Sequence, residues 1–125
     1  MKNKYRVSRP EDRRWQERTY ASKAEMERAQ QLYDLLAADV IVEIIEQPRL
    51  CLGDPEGVYI PDFLIIGRNG DCHFEDVKGV ETPKFKTDVK RWERHGRLPL
   101  RIVKKKRNGR FEIDRVIYPI GRPAP

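Results

Sequence analysis

Val58-Tyr59-Ile60-Pro61-Asp62-Phe63-Leu64-Ile65-Ile66-Gly67-Arg68-Asn69-Gly70-Asp71-Cys72-His73-Phe74-Glu75-Asp76-Val77-Lys78 is the stretch on which the interpretation of this chain turns. Asn69-Gly70 is a strong hairpin signal, because both residues accept the left-handed backbone of a tight turn. The apolar run Val58 to Ile66 before it and Cys72 to Lys78 after it then form two antiparallel strands. Asp62 interrupts the first of them, and a carboxylate there costs on the order of several kcal/mol unless a cation or hydrogen bonds compensate. Counting outward from the turn brings Asp62 level with Asp76 or Val77. Residues i and i+2 share a face of a strand, so Asp76 and Lys78 project together while Glu75 and Val77 point the other way. Asp62, Asp76 and Lys78 thus converge at one end of the hairpin. Two carboxylates so placed repel each other unless a divalent cation joins them, and oxygen-only ligands suit Mg²⁺ or Mn²⁺.

Toward the N-terminus, Ser22-Lys23-Ala24-Glu25 has the Ser-x-x-Glu capping pattern, and Ala29, Leu32, Tyr33 and Leu36 follow at helical spacing, which predicts a helix to about Ala38. Ala29, Leu32 and Leu36 lie within about 40° of Glu25 on a helical wheel, so this glutamate is centred on the apolar face and points inward. Val40 to Ile45 is a strand stopped by Pro48, and Leu50-Cys51-Leu52 resumes an extended course to a turn at Gly53-Asp54-Pro55. Toward the C-terminus, Thr82-Pro83 caps a second helix whose Phe85, Val89 and Trp92 mark a core-packing face as far as Gly96. Leu100 to Lys105 and Phe111 to Tyr118 are strands around Asn108-Gly109. The expected fold class is α/β, a mixed central β-sheet flanked by helices. Residues 1–21, basic and without a clean period, read as a basic N-terminal arm, partly ordered at best. Residues 22–118 form a single domain and 119–125 a C-terminal tail.

The 125 residues suffice for one domain and not for separate catalytic and recognition domains. No apolar run approaches the ~20 residues of a membrane span, and Met1-Lys2-Asn3-Lys4-Tyr5 lacks a signal peptide's apolar stretch, so the expectation is a soluble, cytoplasmic protein with no membrane partner. Cys51 and Cys72 fit neither a disulfide framework nor a metal knuckle and are expected to be reduced and buried. His73 and His95 are too far apart in sequence for a zinc site, with Cys72 and His73 diverging on a strand. Charge is strongly segregated: residues 1–21 carry a net +4, 22–83 −8, 84–110 +10 and 111–125 zero. An acidic centre between basic flanks suits a carboxylate site set between surfaces that attract a polyanion. Lys84, Lys86, Lys90, Arg91 and Arg94, on the helix after the Asp76 strand, are candidate phosphate contacts. Lys104, Lys105 and Lys106, with Arg107, form either a DNA-gripping loop or a charged sheet edge. Gln47 reads more readily as a polar strand end than as a group near the metal.

Pro61-Asp62, then Asp76-Val77-Lys78 after a short hairpin, with Glu25 on a preceding helix, resembles the PD-(D/E)XK nuclease superfamily, whose core order is αβββαβ. The resemblance spans roughly residues 22–105. Tyr59-Ile60-Pro61-Asp62-Phe63 and Glu75-Asp76-Val77-Lys78-Gly79 are similar to a family of small phage nucleases, and the compact size to archaeal-type Holliday junction resolvases, which more often carry Glu where this chain has Asp76. The resemblance implies a restriction-endonuclease-like core in which Glu25, Asp62 and Asp76 hold Mg²⁺ or Mn²⁺ with the Val77 carbonyl. Lys78 would orient or activate the attacking water. Glu75 adjoins Asp76, and the i, i+2 relation to Lys78 selects Asp76 as the ligand. The implied protein is a metal-dependent, structure-specific endonuclease, and the missing recognition domain favours shape over base readout, hence a Holliday junction resolvase acting on a four-way junction as a homodimer. Alternatives are a less selective phage recombination or replication nuclease cutting flaps, forks or single-stranded gaps, and a non-catalytic DNA-binding accessory protein. A phage-encoded chain would work in the host cytoplasm.

Overall fold

The computed structural model describes residues 8–53 and 57–120. The chain starts with a short 3₁₀ turn, Pro10–Arg13, and a small hairpin of β1 (Arg14–Trp15) and β2 (Arg18–Thr19). Helix α1 (Lys23–Ala37) begins where the Ser22 side chain accepts a hydrogen bond from the Glu25 N–H at 3.0 Å. Then follow β3 (Ile41–Glu46), β4 (Leu50–Cys51), β5 (Val58–Tyr59), β6 (Phe63–Gly67) and β7 (Cys72–Val77). Helix α2 (Pro83–His95) starts at the Thr82 cap, whose hydroxyl accepts from the Phe85 N–H at 3.1 Å, and β8 (Leu100–Lys105) and β9 (Phe111–Ile117) complete the order.

Five strands form a mixed sheet in the order β3-β6-β7-β8-β9. Only β7 and β8 are parallel, as the helical crossover through α2 requires, and the other neighbours are antiparallel. One face packs on α1: Met26, Ala29 and Leu32 meet Ile41, Phe63 and Ile65, with Tyr20 closing that layer. The other packs on α2, where Phe85 and the fully buried Trp92 meet Phe74, Leu100, Ile102 and Ile117. Leu52 and Tyr59, from the separate β4–β5 ribbon, extend this second core. The protein is therefore α/β, with a five-stranded mixed central sheet between two helices. No helix among the described residues is long and apolar enough to cross a membrane.

The structure departs from expectation in three places. Residues 8–20 are not a loose arm: Gln16 and Glu17 turn β1 into β2 with φ of 53° and 63°, and Tyr20 is buried against α1. Residues 1–7, the tip of the turn at 54–56 and most of the 119–125 tail lie outside the described residues. The expected single strand from Val58 to Ile66 is two, because the chain leaves the ladder over Ile60–Asp62, where Pro61 has no N–H to donate. Neither cysteine is buried. Cys51 is exposed on the ribbon and Cys72 half-buried beside the hairpin turn, both as free thiols.

Candidate active site

The β6–β7 register pairs Phe63 with Glu75, and continuing it by one residue sets Asp62 opposite Asp76. Asp62 precedes the first ladder rung, so its carboxylate turns back to the strand end, where Oδ2 accepts the Val77 N–H at 2.7 Å. Asp76 is almost fully buried on the α2 face, with Lys78 Nζ 3.4 Å from its Oδ2 and the Tyr59 hydroxyl donating to the same oxygen. The Lys78 ammonium also lies 4.6 Å from the centre of the Phe85 ring. Glu25, in the first turn of α1, is 5% exposed and reaches Asp62 and Gln47 with its side chain. It therefore faces inward, while the Ser22 cap is served by its main-chain N–H.

Gln47 does more than end a strand. It sits at φ 52°, its N–H donates to the Asp62 carbonyl at 2.9 Å, and its side chain hydrogen-bonds Glu25. The structure thus brings Glu25, Asp62, Asp76 and Lys78 together and adds Gln47 and Tyr59. Val77 enters through its N–H, donated to Asp62. Tyr59 carries no clear signal in the sequence because its reach to Asp76 depends on the ribbon; its place three residues before Asp62 is the one local hint.

Burial, followed by the negative charge of Glu25, pushes the Asp62 carboxyl up to about 7. Burial also raises Asp76 to about 6, although Lys78 opposes the shift, and raises Glu25, although Arg18 opposes it. Three carboxyls crowded in one place thus resist ionising together. Among the described residues, no three His, Cys, Asp or Glu side chains are arranged to grip an ion directly. The donor set nevertheless fits a hard divalent cation, since Mg²⁺ is held by one or two carboxylates while keeping several waters. Asp62 and Asp76 are the pair that would hold it, with Glu25 beside them.

Glu75 belongs to the opposite face of β7. It is wholly buried and paired with Arg28 of α1, whose Nε and terminal nitrogen lie 3.0 and 2.6 Å from Oε1. His73 shares that face, and burial together with Arg101 and Arg28 lowers it to about 4, so it is neutral at pH 7. His95 stands apart, at the end of α2.

The expected DNA contacts divide into two groups. Lys86, Lys90 and Arg94 are exposed on α2, their side chains without a hydrogen-bond or ion-pair partner among the described residues, and Arg91 is half-buried on the same helix. Lys84 pairs with Asp88 at 2.9 Å, Lys104 with Glu81 at 3.1 Å, Lys105 with Glu27 at 2.6 Å and Lys106 with Glu112 at 3.8 Å. Arg107 is exposed in the β8–β9 turn. No family model, curated protein or solved structure matches the chain. Fold and site define a coarse class, an α/β protein with carboxylates and a lysine gathered at one end of a hairpin.

Proposed function

We propose that this protein is a metal-dependent, structure-specific DNA endonuclease of the PD-(D/E)XK kind, cutting branched DNA as a Holliday junction resolvase does. The observation that carries the proposal is the meeting of Glu25, Asp62 and Asp76 with Lys78 at the mouth of the β6–β7 hairpin. The order α1-β3-β6-β7-α2-β8 supports it, being the αβββαβ order of that superfamily, with the β4–β5 ribbon as an insertion.

Bound between Asp62 and Asp76, Mg²⁺ or Mn²⁺ would supply Lewis acidity toward the scissile phosphate and its attacking water. The protein's own residues do the rest. Lys78 holds an ammonium beside the reacting phosphate, where it stabilises developing negative charge. Tyr59 fixes the Asp76 rotamer by donating to one oxygen, and Gln47 does the same for Glu25. The exposed Lys86, Lys90 and Arg94 of α2 offer phosphate contacts, and a C₂ homodimer would present one site to each of two equivalent junction strands.

Incubation with a four-way junction, a fork and a linear duplex in Mg²⁺ tests this. Symmetric nicks in the junction are expected, and Asp76→Asn should bind it without cutting. Efficient cleavage by that variant would refute the site. Failure of the wild type to cut any DNA would leave a DNA-binding accessory role, and cleavage of the fork alone would move the substrate to forks and flaps.

A further inference from the structure

A groove of about 590 Å³ opens between the β1–β2 hairpin and α1, outside the carboxylate cluster, with Glu46 in its lining. Trp15 and Tyr33 form one wall, with ring centres 5.5 Å apart and planes tilted by 52°. Arg18, the cross-strand partner of Trp15, lies over the Tyr20 ring at 5.5 Å and reaches Glu46 at 3.3 Å. The Glu46 carboxylate also receives the hydroxyls of Tyr33, at 2.9 Å, and Tyr20, so its charge is well satisfied. Glu46 directly precedes Gln47, and Arg18 is near enough to Glu25 to favour its ionised form, which fixes the groove at the edge of the site. Trp15 is held at the groove by a turn with two non-glycine residues in left-handed backbone, a conformation costing about 1–2 kcal/mol per residue.

We propose that this groove receives an unpaired nucleobase of the DNA strand entering the carboxylate site, stacked on Trp15, with the adjoining phosphate against Arg18. The proposal rests on the nuclease reading for its choice of DNA, and it deepens it by naming the substrate's local form: a strand unpaired next to the bond that is cut. A base suits the groove better than an aliphatic ligand does. The walls are aromatic faces, which stack on any base, and the cation beside them matches a phosphate. The exposed carboxylates of the lining, Glu17 and Asp34, can accept from a base N–H, the thymine N3–H included. A base held in a duplex cannot enter.

The chain has two tryptophans, and Trp92 is fully buried, so quenching of tryptophan fluorescence by a stacked base reports on Trp15 alone. The test is a titration of the full chain, in EDTA, with oligothymidylate about ten nucleotides long, with a blunt duplex and with heparin as a polyanion control. Oligothymidylate should quench the emission, whereas the duplex and heparin should not. Trp15→Leu should weaken oligothymidylate binding about tenfold or more, and Trp15→Phe should keep most of the affinity. Absence of quenching by saturating oligothymidylate, or equal quenching by heparin, would overturn the proposal whether or not the Leu variant folds. The two readings fail separately. Junction cleavage without quenching removes the base groove and leaves the nuclease, while quenching without cleavage of any DNA leaves a single-strand binding site and removes the nuclease.

Discussion

Replacing Asp62 by asparagine should stabilise the metal-free protein at neutral and alkaline pH. Asparagine keeps an oxygen for the Val77 N–H and removes the buried charge that faces Glu25. The Asp62 carboxyl sits at about 7 in the folded chain against an ordinary 3.8, so between those values the folded state holds a proton that the unfolded chain has lost. Wild-type stability must therefore fall as pH rises from about 4 to about 7 and level off above. That interval corresponds to about 4 kcal/mol, and relaxation around a real buried charge leaves an expected gain for Asp62→Asn of roughly 2 kcal/mol at pH 8. At pH 4 the two proteins should be nearly equal. Urea unfolding in EDTA at both pH values measures this, with a variant midpoint about 1 M higher at pH 8. A difference that does not change with pH, or a variant weaker than the wild type at pH 8, would refute burial and repulsion as the origin of the shift.

Glu25→Gln should leave a folded, DNA-binding protein whose cleavage in Mg²⁺ is slower by orders of magnitude, measured by single-turnover kinetics; an unchanged rate would reduce Glu25 to a helix-end residue. Tyr59→Phe removes the donor to Asp76 and should lower the cleavage rate about tenfold without changing DNA affinity, with a stability loss of about 1 kcal/mol. Arg28→Met strands the buried Glu75 and should cost about 3–5 kcal/mol by chemical denaturation, most of it recovered by adding Glu75→Met. Lys90→Ala with Arg94→Ala should reduce the salt slope of junction binding by about 0.9 for each phosphate that the helix no longer neutralises; an unchanged slope would make that face a solubilising one.

Elements that declare themselves within a few residues were legible. Ser22 with Glu25, Thr82 with Pro83, and the Asn-Gly pairs at 69–70 and 108–109 each encode a cap or turn, and the two helices and the turn-side ends of the strands lie where expected. The hairpin register was legible to within one residue, which left Asp62 level with Asp76 or Val77, and the ladder selects Asp76. Features set by contacts distant in sequence were not. The Gln16-Glu17 turn has no glycine or asparagine to announce it, and packing of Trp15 on Tyr33 and burial of Tyr20 hold it in place. The Arg28–Glu75 pair joins residues 47 apart, so Glu75 could be assigned to the back of the sheet but not given its partner. Lys104, Lys105 and Lys106 looked like one basic run, whereas strand alternation and neighbouring elements lead each to a different carboxylate.

The hydrogen bond from Val77 to Asp62 gives a side chain the position that a main-chain carbonyl would fill in an unbroken ladder. The accepting oxygen helps to hold the end of β7 and keeps a second lone pair free for another partner. Because the donor is the amide next to Asp76, the sheet end itself sets the spacing of the two carboxylates, and fraying of the last residues of β7 would displace both together. Hydrogen exchange at the Val77 amide therefore reads out how firmly the pair is held.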